Sequence, residues 1–491
     1  MKKTTLLLSA TGLLLMTASA QTPFKPIAPS NSKALPAASS AKASPAPASP
    51  GAPANAIVSP RTVAPVNNNI SSSSAAGLKG TTANLNNAPF SISGIFPAAG
   101  PRATPVTISG AHFGQNAAGV AVRLNGVAAV VTGISDNQIL AIIPDKAGSG
   151  PITITIDGKT ASGGFFQYKW EGAASVFVGS PYPSGGSGFG DGSGTGARFN
   201  SPWGMAKDRQ GFIYVADMAN NRIRKINNFG EVTTIAGDGT PGFADGMGTA
   251  AKFHSPKGLT VDAVGNVYVV DAENNRIRRI TPAGMVTTIA GSNTRGATDG
   301  PLSTATFGAL ACITIDASGN LYVGDGDRIR KITAAGMVST FAGKGSAGSN
   351  YFFAPRSLAV GANGEVYEAD GYNVVRKIMP SGMVSILAGK YTNVGNGADG
   401  YGEAAQFFAL QGICVDPSGT LYVTDYGGDY DNGPNSIQIR RITKDGDVTT
   451  VTAPGNALMT KYWWPLGILS DGPNLYVADK NGGCIRKIAL Q

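Results

Sequence analysis

The chain has 491 residues, with 39 lysines and arginines against 30 acids, a formal charge of +9 and only 14% charged residues. Its 67 glycines are about twice the usual share, which favours tight turns between short strands over helical bundles. Two histidines and three cysteines leave little material for a histidine-rich metal site, a Ser-His-Asp triad or a disulfide scaffold.

Residues 1–20 read as a signal peptide. Lys2 and Lys3 precede an apolar run from Leu6 to Met16, and Ala18-Ser19-Ala20 makes a small-x-small cleavage site before Gln21. The run is too short to span a bilayer of about 30 Å. No cysteine follows the site to take a lipid, and no later stretch is apolar enough for a transmembrane helix. The expected protein is secreted, periplasmic or held at the cell surface, and is not a lipoprotein.

Residues 21–88 are rich in Pro, Ala, Ser and Asn, as in "SPAPASPGAPANA" and "NNNISSSSAAG". Such segments bury too little apolar surface to offset the entropy of ordering, so this stretch is expected to be a disordered linker. No acid occurs before Asp136, and the few cations are dispersed, so the segment reads as a spacer.

Order is expected from Pro89. Val106 and Ile108 alternate with Thr107 and Ser109, and "VAVRLNG", "VAAVVTGIS", "QILAIIP" and "GPITITIDG" follow at short intervals. Seven or so short strands over residues 89–169 describe a small β-sandwich. The pattern I-x-x-x-x-P-x-x-G-x-x-x-x-P-V-T-I-x-G-x-x-F, then "VRLNG", "SDNQILAIIP" and a closing "FQY", resembles an IPT/TIG immunoglobulin-like domain. His112, in the G-x-x-F turn, reads as a turn residue.

The remainder repeats. "GFIYVADMANNRIRKINNFGEVTTIAG" recurs as "GNVYVVDAENNRIRRITPAGMVTTIAG" and in four more divergent copies. Tyr214, Tyr268, Tyr322, Tyr367, Tyr422 and Tyr476 stand 54, 54, 45, 55 and 54 residues apart. Each unit holds four short strands, a size and count that match propeller blades. The signature F-x-x-P…D-x-x-G-x-x-Y-V-x-D…R-I…G-x-V-x-T-x-A-G resembles the NHL repeat, with the Pro replaced by Leu310 and Leu410 in two units. The expected fold is therefore all-β: an immunoglobulin-like sandwich, then a six-bladed propeller over residues 170–491. The last unit stops short of a fourth strand, and Val176–Gly179 is the spare strand expected to complete it and so remove an exposed edge.

Arg224, Arg278, Arg330, Arg376, Arg440 and Arg486 occupy one position per unit, as do the YVxD acids Asp217, Asp271, Asp325, Asp370, Asp425 and Asp479. Cations dispersed once per unit read as inter-blade structure rather than a nucleic-acid surface, so no nucleic-acid partner is expected. The Asp-Gly loops, such as "GFADGMGTAAKF", read as tight turns or anion-accepting nests.

Function is expected in the loops. The fourth-to-first connections and second-to-third turns share what the family convention calls the top face. Trp203, Tyr372, Tyr401, Tyr426, Tyr430, Trp463 and Trp464 are assigned there as ring platforms for a glycan or protein ligand. The alternative is that the Trp residues plug the channel mouth or pack between blades. Asp429, Asp431 and Asn432, in the long insertion "DYGGDYDNGPNS", offer oxygens spaced like the start of a calcium loop, though no downstream Glu completes it. No cofactor is otherwise expected.

Resemblance to six-bladed propellers also raises a metal-dependent hydrolase or lyase of the gluconolactonase type. Gly204, Gly258, Cys312, Ser357, Gly412 and Gly467 share one channel position and bring no Glu or His with them. The reading reached from sequence is an exported, non-catalytic binding or scaffold protein of the cell envelope. The hydrolase, and a purely structural or adhesive surface protein, are the alternatives.

Overall fold

The computed structural model describes residues 89–145, 147–181, 187–343, 352, 354–391, 397–426, 437–452 and 464–490. Tyr430, Trp463, Asp429, Asp431 and Asn432 lie outside them, as do residues 1–88, where the signal peptide and the linker are expected.

From Ser91 to Tyr168 the chain forms an eight-stranded sheet folded over one core. Its order is Ser91–Phe96, Pro105–Ala111, Gln138–Ile142, Val127–Ser135, Val120–Leu124, Gly150–Ile156, Lys159–Tyr168 and Ala99–Gly100. The alternation does what its period requires: Val106 and Ile108 are buried while Thr107 and Ser109 are half-buried. Ile139, Ile152, Ile154 and Phe166 complete the interior. His112 takes a left-handed φ of 62° in its turn.

The rest is a propeller-like array of antiparallel sheets. The first comprises Pro202–Lys207, Ile213–Asp217, Arg222–Ile226 and Glu231–Ala236, from the inner strand outward. Sheets of the same order begin at Pro256–Val261, Leu310–Ile315 and Pro355–Val360. A larger sheet joins two four-strand sets, whose inner strands are Leu410–Val415 and Pro465–Ser470. Each inner strand packs beside the next, and Pro465–Ser470 packs against Pro202–Lys207, so the succession returns to its start. Small residues permit this approach. A Cβ on Gly204 would lie 2.6 Å from Lys257 O, one on Gly258 would lie 2.7 Å from Cys312 Cα, and one on Gly467 would collide with Trp203 O.

The final set is completed from upstream. Trp170–Gly179 pairs antiparallel with Cys484–Leu490, placing Gly179 opposite Cys484 and Val178 opposite Ile485. This strand begins six residues earlier than its repeat pattern suggests, because it follows the last sandwich strand with only Lys169 between them. Its first residues, Trp170 and Glu171, also pair parallel with Val451 and Thr452, which fuses the two sets into one sheet. The sandwich and propeller share an interior here: Phe166, Tyr168 and Trp170 lie in one cluster with Tyr422, Ile439, Val451 and Ile488.

Candidate functional site

The repeated arginines are fully buried and hold the framework beneath the site. Arg278 Nη1 donates to Asp271 Oδ2 at 2.7 Å and to Lys252 O at 3.0 Å. Its Nη2 donates to Ala244 O at 2.7 Å and to Asp245 Oδ1 at 2.6 Å. Arg224 repeats the pattern with Asp217 and Asp191, Arg330 with Asp325 and Asp299, and Arg440 with Asp425 and Asp399. The Phe that opens the F-x-x-P segment lies under each of these four guanidinium groups, as Phe253 does 5.0 Å from Arg278. The Asp-Gly loops are therefore neither simple turns nor anion nests: their acids are arginine ligands. Each of these four arginines ties its own unit to the loop arriving from the preceding one. Burial pushes the Asp217 carboxyl up to about 6, opposed by Asn220 and Arg224, and burial raises Asp271 and Asp425 as well.

Two units depart from the rule. Between Thr452 and Pro465 there is no Asp-Gly pair, and Arg486 binds Asp479 at 2.7 Å. The segment before Pro355 has no Asp-Gly pair, and Arg376 instead binds Glu368 at 2.7 Å, Asp370, and the Tyr391 hydroxyl at 2.7 Å. Glu368 stands where Val215, Val269 and Val323 pack in other units, and it is fully buried. Burial, reinforced by the neighbouring Asp370, pushes its carboxyl up to about 8 against the pull of Arg376.

Inner strands begin where second strands end, as the pairing of Pro202 with Asp217 and Pro256 with Asp271 shows, so both termini open on one face. At the axis on that face is a cavity of about 70 Å³, lined by Trp203, Ala311, Arg356, Gln411 and Leu466 over the ring of small residues. The Lys257 ammonium lies 5.6 Å from the centre of the Trp203 ring. Trp203, Lys257, Ala311, Arg356, Gln411 and Leu466 are the same position in successive units, one residue before the small channel residue. Lys257, Arg356 and Gln411 were not singled out in the sequence reading. Their signal is variation at one position inside a constant frame.

Trp464 and Tyr426 meet on the same face. Their rings are stacked, with centroids 5.0 Å apart and planes 11° from parallel. The Lys480 ammonium lies 4.0 Å from the Trp464 ring centre, and Trp464 Nε1 is buried without a partner among the described residues. Trp464 is thus engaged by its own protein, whereas Trp203 faces the cavity. Tyr372 follows Asp370 in a turn on this face, its amide donating to Asp370 Oδ1 at 2.7 Å. Tyr401 is elsewhere. It pairs with Asp447, the first residue of an outer strand, at the opposite end of the sheet from Trp464, and is 65% exposed. The fourth-to-first connection runs along the outer edge before turning inward, which carries Tyr401 away from the assigned face.

The three cysteines are buried and free, and burial pushes the Cys312 and Cys484 thiols up, so neither is poised as a nucleophile at neutral pH. Among the described residues no three His, Cys, Asp or Glu side chains cluster as metal ligands, and no helix is long and apolar enough to cross a membrane.

Residues 89–168 match the IPT/TIG domain, and residues 241–311 match the teneurin NHL domain. The chain carries a TIG domain followed by NHL-type repeats. Teneurin-1 of Mus musculus is 27% identical over 238 residues, which is 41% of this chain and 8% of that protein. The chain therefore corresponds to a small part of the curated relatives it matches. Among solved structures, a Bacteroides thetaiotaomicron protein of unknown function aligns over 82% of this chain and 99% of its own, with 23% identity and a TM-score of 0.50. An auxiliary nutrient binding protein from the same organism aligns over 82% and 98%, with 18% identity and a TM-score of 0.48. The likeness to the first of these structures is one of fold. In the TIG–NHL chain described here, the face bearing Trp203 is the candidate site.

Proposed function

We propose that the chain is an exported, non-catalytic binding protein of the cell envelope, and that its NHL propeller, read as six-bladed, takes a glycan at the channel mouth. The blade number rests on six Tyr-x-x-Asp strands and on the return of the last inner strand to the first. Export rests on Lys2, Lys3, the apolar run and the Ala18-Ser19-Ala20 site.

The observation that carries the binding reading is Trp203 at the axis, with hydrogen-bonding side chains from other units converging beside it. An indole face covers the C–H surface of a sugar, while Gln411, Lys257 and Arg356 supply donors for its oxygens. Rigid strands hold all four, so little ordering is needed on binding. A glycan-array screen of the full chain, paired with a pull-down from envelope extract, tests this. Retention of a glycan class by the wild type and not by Trp203→Ala is expected. Capture of a protein with no glycan retained would replace the glycan reading.

A further inference from the structure

We propose that the channel mouth selects an acidic sugar: the oxyanion of a uronate carboxylate or a sulfate ester seats between Lys257 and Arg356, with its ring against Trp203. This rests on the glycan reading above and adds the charge of the ligand.

The first support is the state of the cations. Several of the chain's basic groups are committed to acids: the repeated arginines lie on buried aspartates, Lys207 is 3.4 Å from Asp471, and Lys252 is 3.2 Å from Asp238. Lys257 and Arg356 have no carboxylate partner among the described residues. Among the described residues, acids nearby on the same face are already engaged. Asp217, Asp271 and Asp425 are buried against arginines, Glu273 lies 3.8 Å from Arg295, and Asp327 lies 2.6 Å from Arg328.

The second support is the polarity of the channel. The opposite end is lined by Asp208, Asp262 and Asp316 beside Lys207 and Arg209, whereas the lining at Trp203 contains Arg356 and no acid. Charges of one sign around a narrow opening with apolar walls focus the field on a counter-ion there.

Size is the third. A cavity of about 70 Å³ is well below the roughly 300 Å³ of pockets that enclose a whole small ligand. It admits a substituent and leaves the ring outside, beside the indole. A planar guanidinium matches the two oxygens of a carboxylate or sulfate, and the ammonium adds a point charge.

The test is calorimetric titration of the full chain with trigalacturonate, a 6-O-sulfated galactotriose and unsubstituted galactotriose. The first two distinguish carboxylate from sulfate as the source of the charge. Tighter binding of at least one acidic sugar is expected, weakened at least about tenfold in Lys257→Gln/Arg356→Gln, with any galactotriose affinity unaltered. Because the chain is basic overall, Lys159→Gln/Lys444→Gln serves as a charge-matched control at exposed sites away from the mouth, and should stay within about twofold. Equal weakening by both double variants would reduce the effect to net charge and overturn the proposal. Binding of galactotriose that needs Trp203 and ignores charge would overturn it too, while leaving the glycan reading in place. If none of the three sugars binds, the charge proposal fails, and a glycan array without hits would remove the broader reading as well.

Discussion

Glu368 lies across from Arg376 on the adjacent strand and supplies the second acid that four other units receive from a loop, with Oε2 2.7 Å from Nη1. Arg224, Arg278, Arg330 and Arg440 each take one acid from their own second strand and one from an Asp-Gly loop. A guanidinium with no contact to water needs its charge met within the fold. In the Arg376 unit, which lacks the loop acid, the guanidinium faces Asp370 and also Glu368, a glutamate in a position otherwise given to valine. In the Arg486 unit, which lacks it too, Val477 keeps that position and Arg486 binds Asp479.

This arrangement makes stability depend on pH with a definite sign. Glu368 is raised to about 8 in the folded chain from an ordinary value of 4.5. A carboxyl raised on folding contributes stability that is full below its unfolded pKa and is lost as pH rises through the folded one. The melting temperature should therefore fall between about pH 5 and about pH 9, and Glu368→Gln should flatten that fall. An equal slope in both proteins would show that Glu368 is already ionised across the range.

Arg278→Met leaves Asp271 buried with no countercharge and frees the loop at Asp245. A loss of about 3–5 kcal/mol is expected, read as a lower midpoint in denaturant with the binding affinity of the surviving folded protein unchanged. A loss of affinity at unchanged stability would place this arginine in the site instead.

The closing strand can be weighed by comparing two truncations, one starting at Trp170 and one at Pro181. Both lack the sandwich, so its contribution to the shared interior cancels. The shorter chain also loses burial of Val178 and the ladder to Cys484–Leu490. It should be less stable by about 3 kcal/mol or more. Equal unfolding midpoints would mean that the last sheet does not need this strand.

Much of the framework was legible because it is written repeatedly. The Tyr-x-x-Asp spacing and the alternation at Val106 and Ile108 are local patterns, and the short last unit pointed upstream to a partner for Cys484–Leu490. Long-range pairings were harder. Arg278 and Asp245 are 33 residues apart, and nothing local in Asp245-Gly246 distinguishes an arginine ligand from a turn. Tyr401 was assigned by its loop's connectivity, but that loop first pairs along the outer edge. Lys257, Arg356 and Gln411 were overlooked for the opposite reason. They sit within the most regular part of the repeat, where the eye follows what is constant.

The central claim is that ligand binds at Trp203, not at the more conspicuous stack of Tyr426 and Trp464. The decisive measurement is the dissociation constant for the best glycan from the array, taken alongside the melting temperature, in wild type, Trp203→Ala and Trp464→Ala. Trp203→Ala should bind at least about tenfold more weakly at an unchanged melting temperature, the loss of one stacked ring being worth about 1 kcal/mol or more and its hot-spot position adding to that. Trp464→Ala should melt lower and keep its affinity within about twofold. Unchanged affinity in Trp203→Ala, with binding lost only in Trp464→Ala, would contradict the account and move the site to the stack.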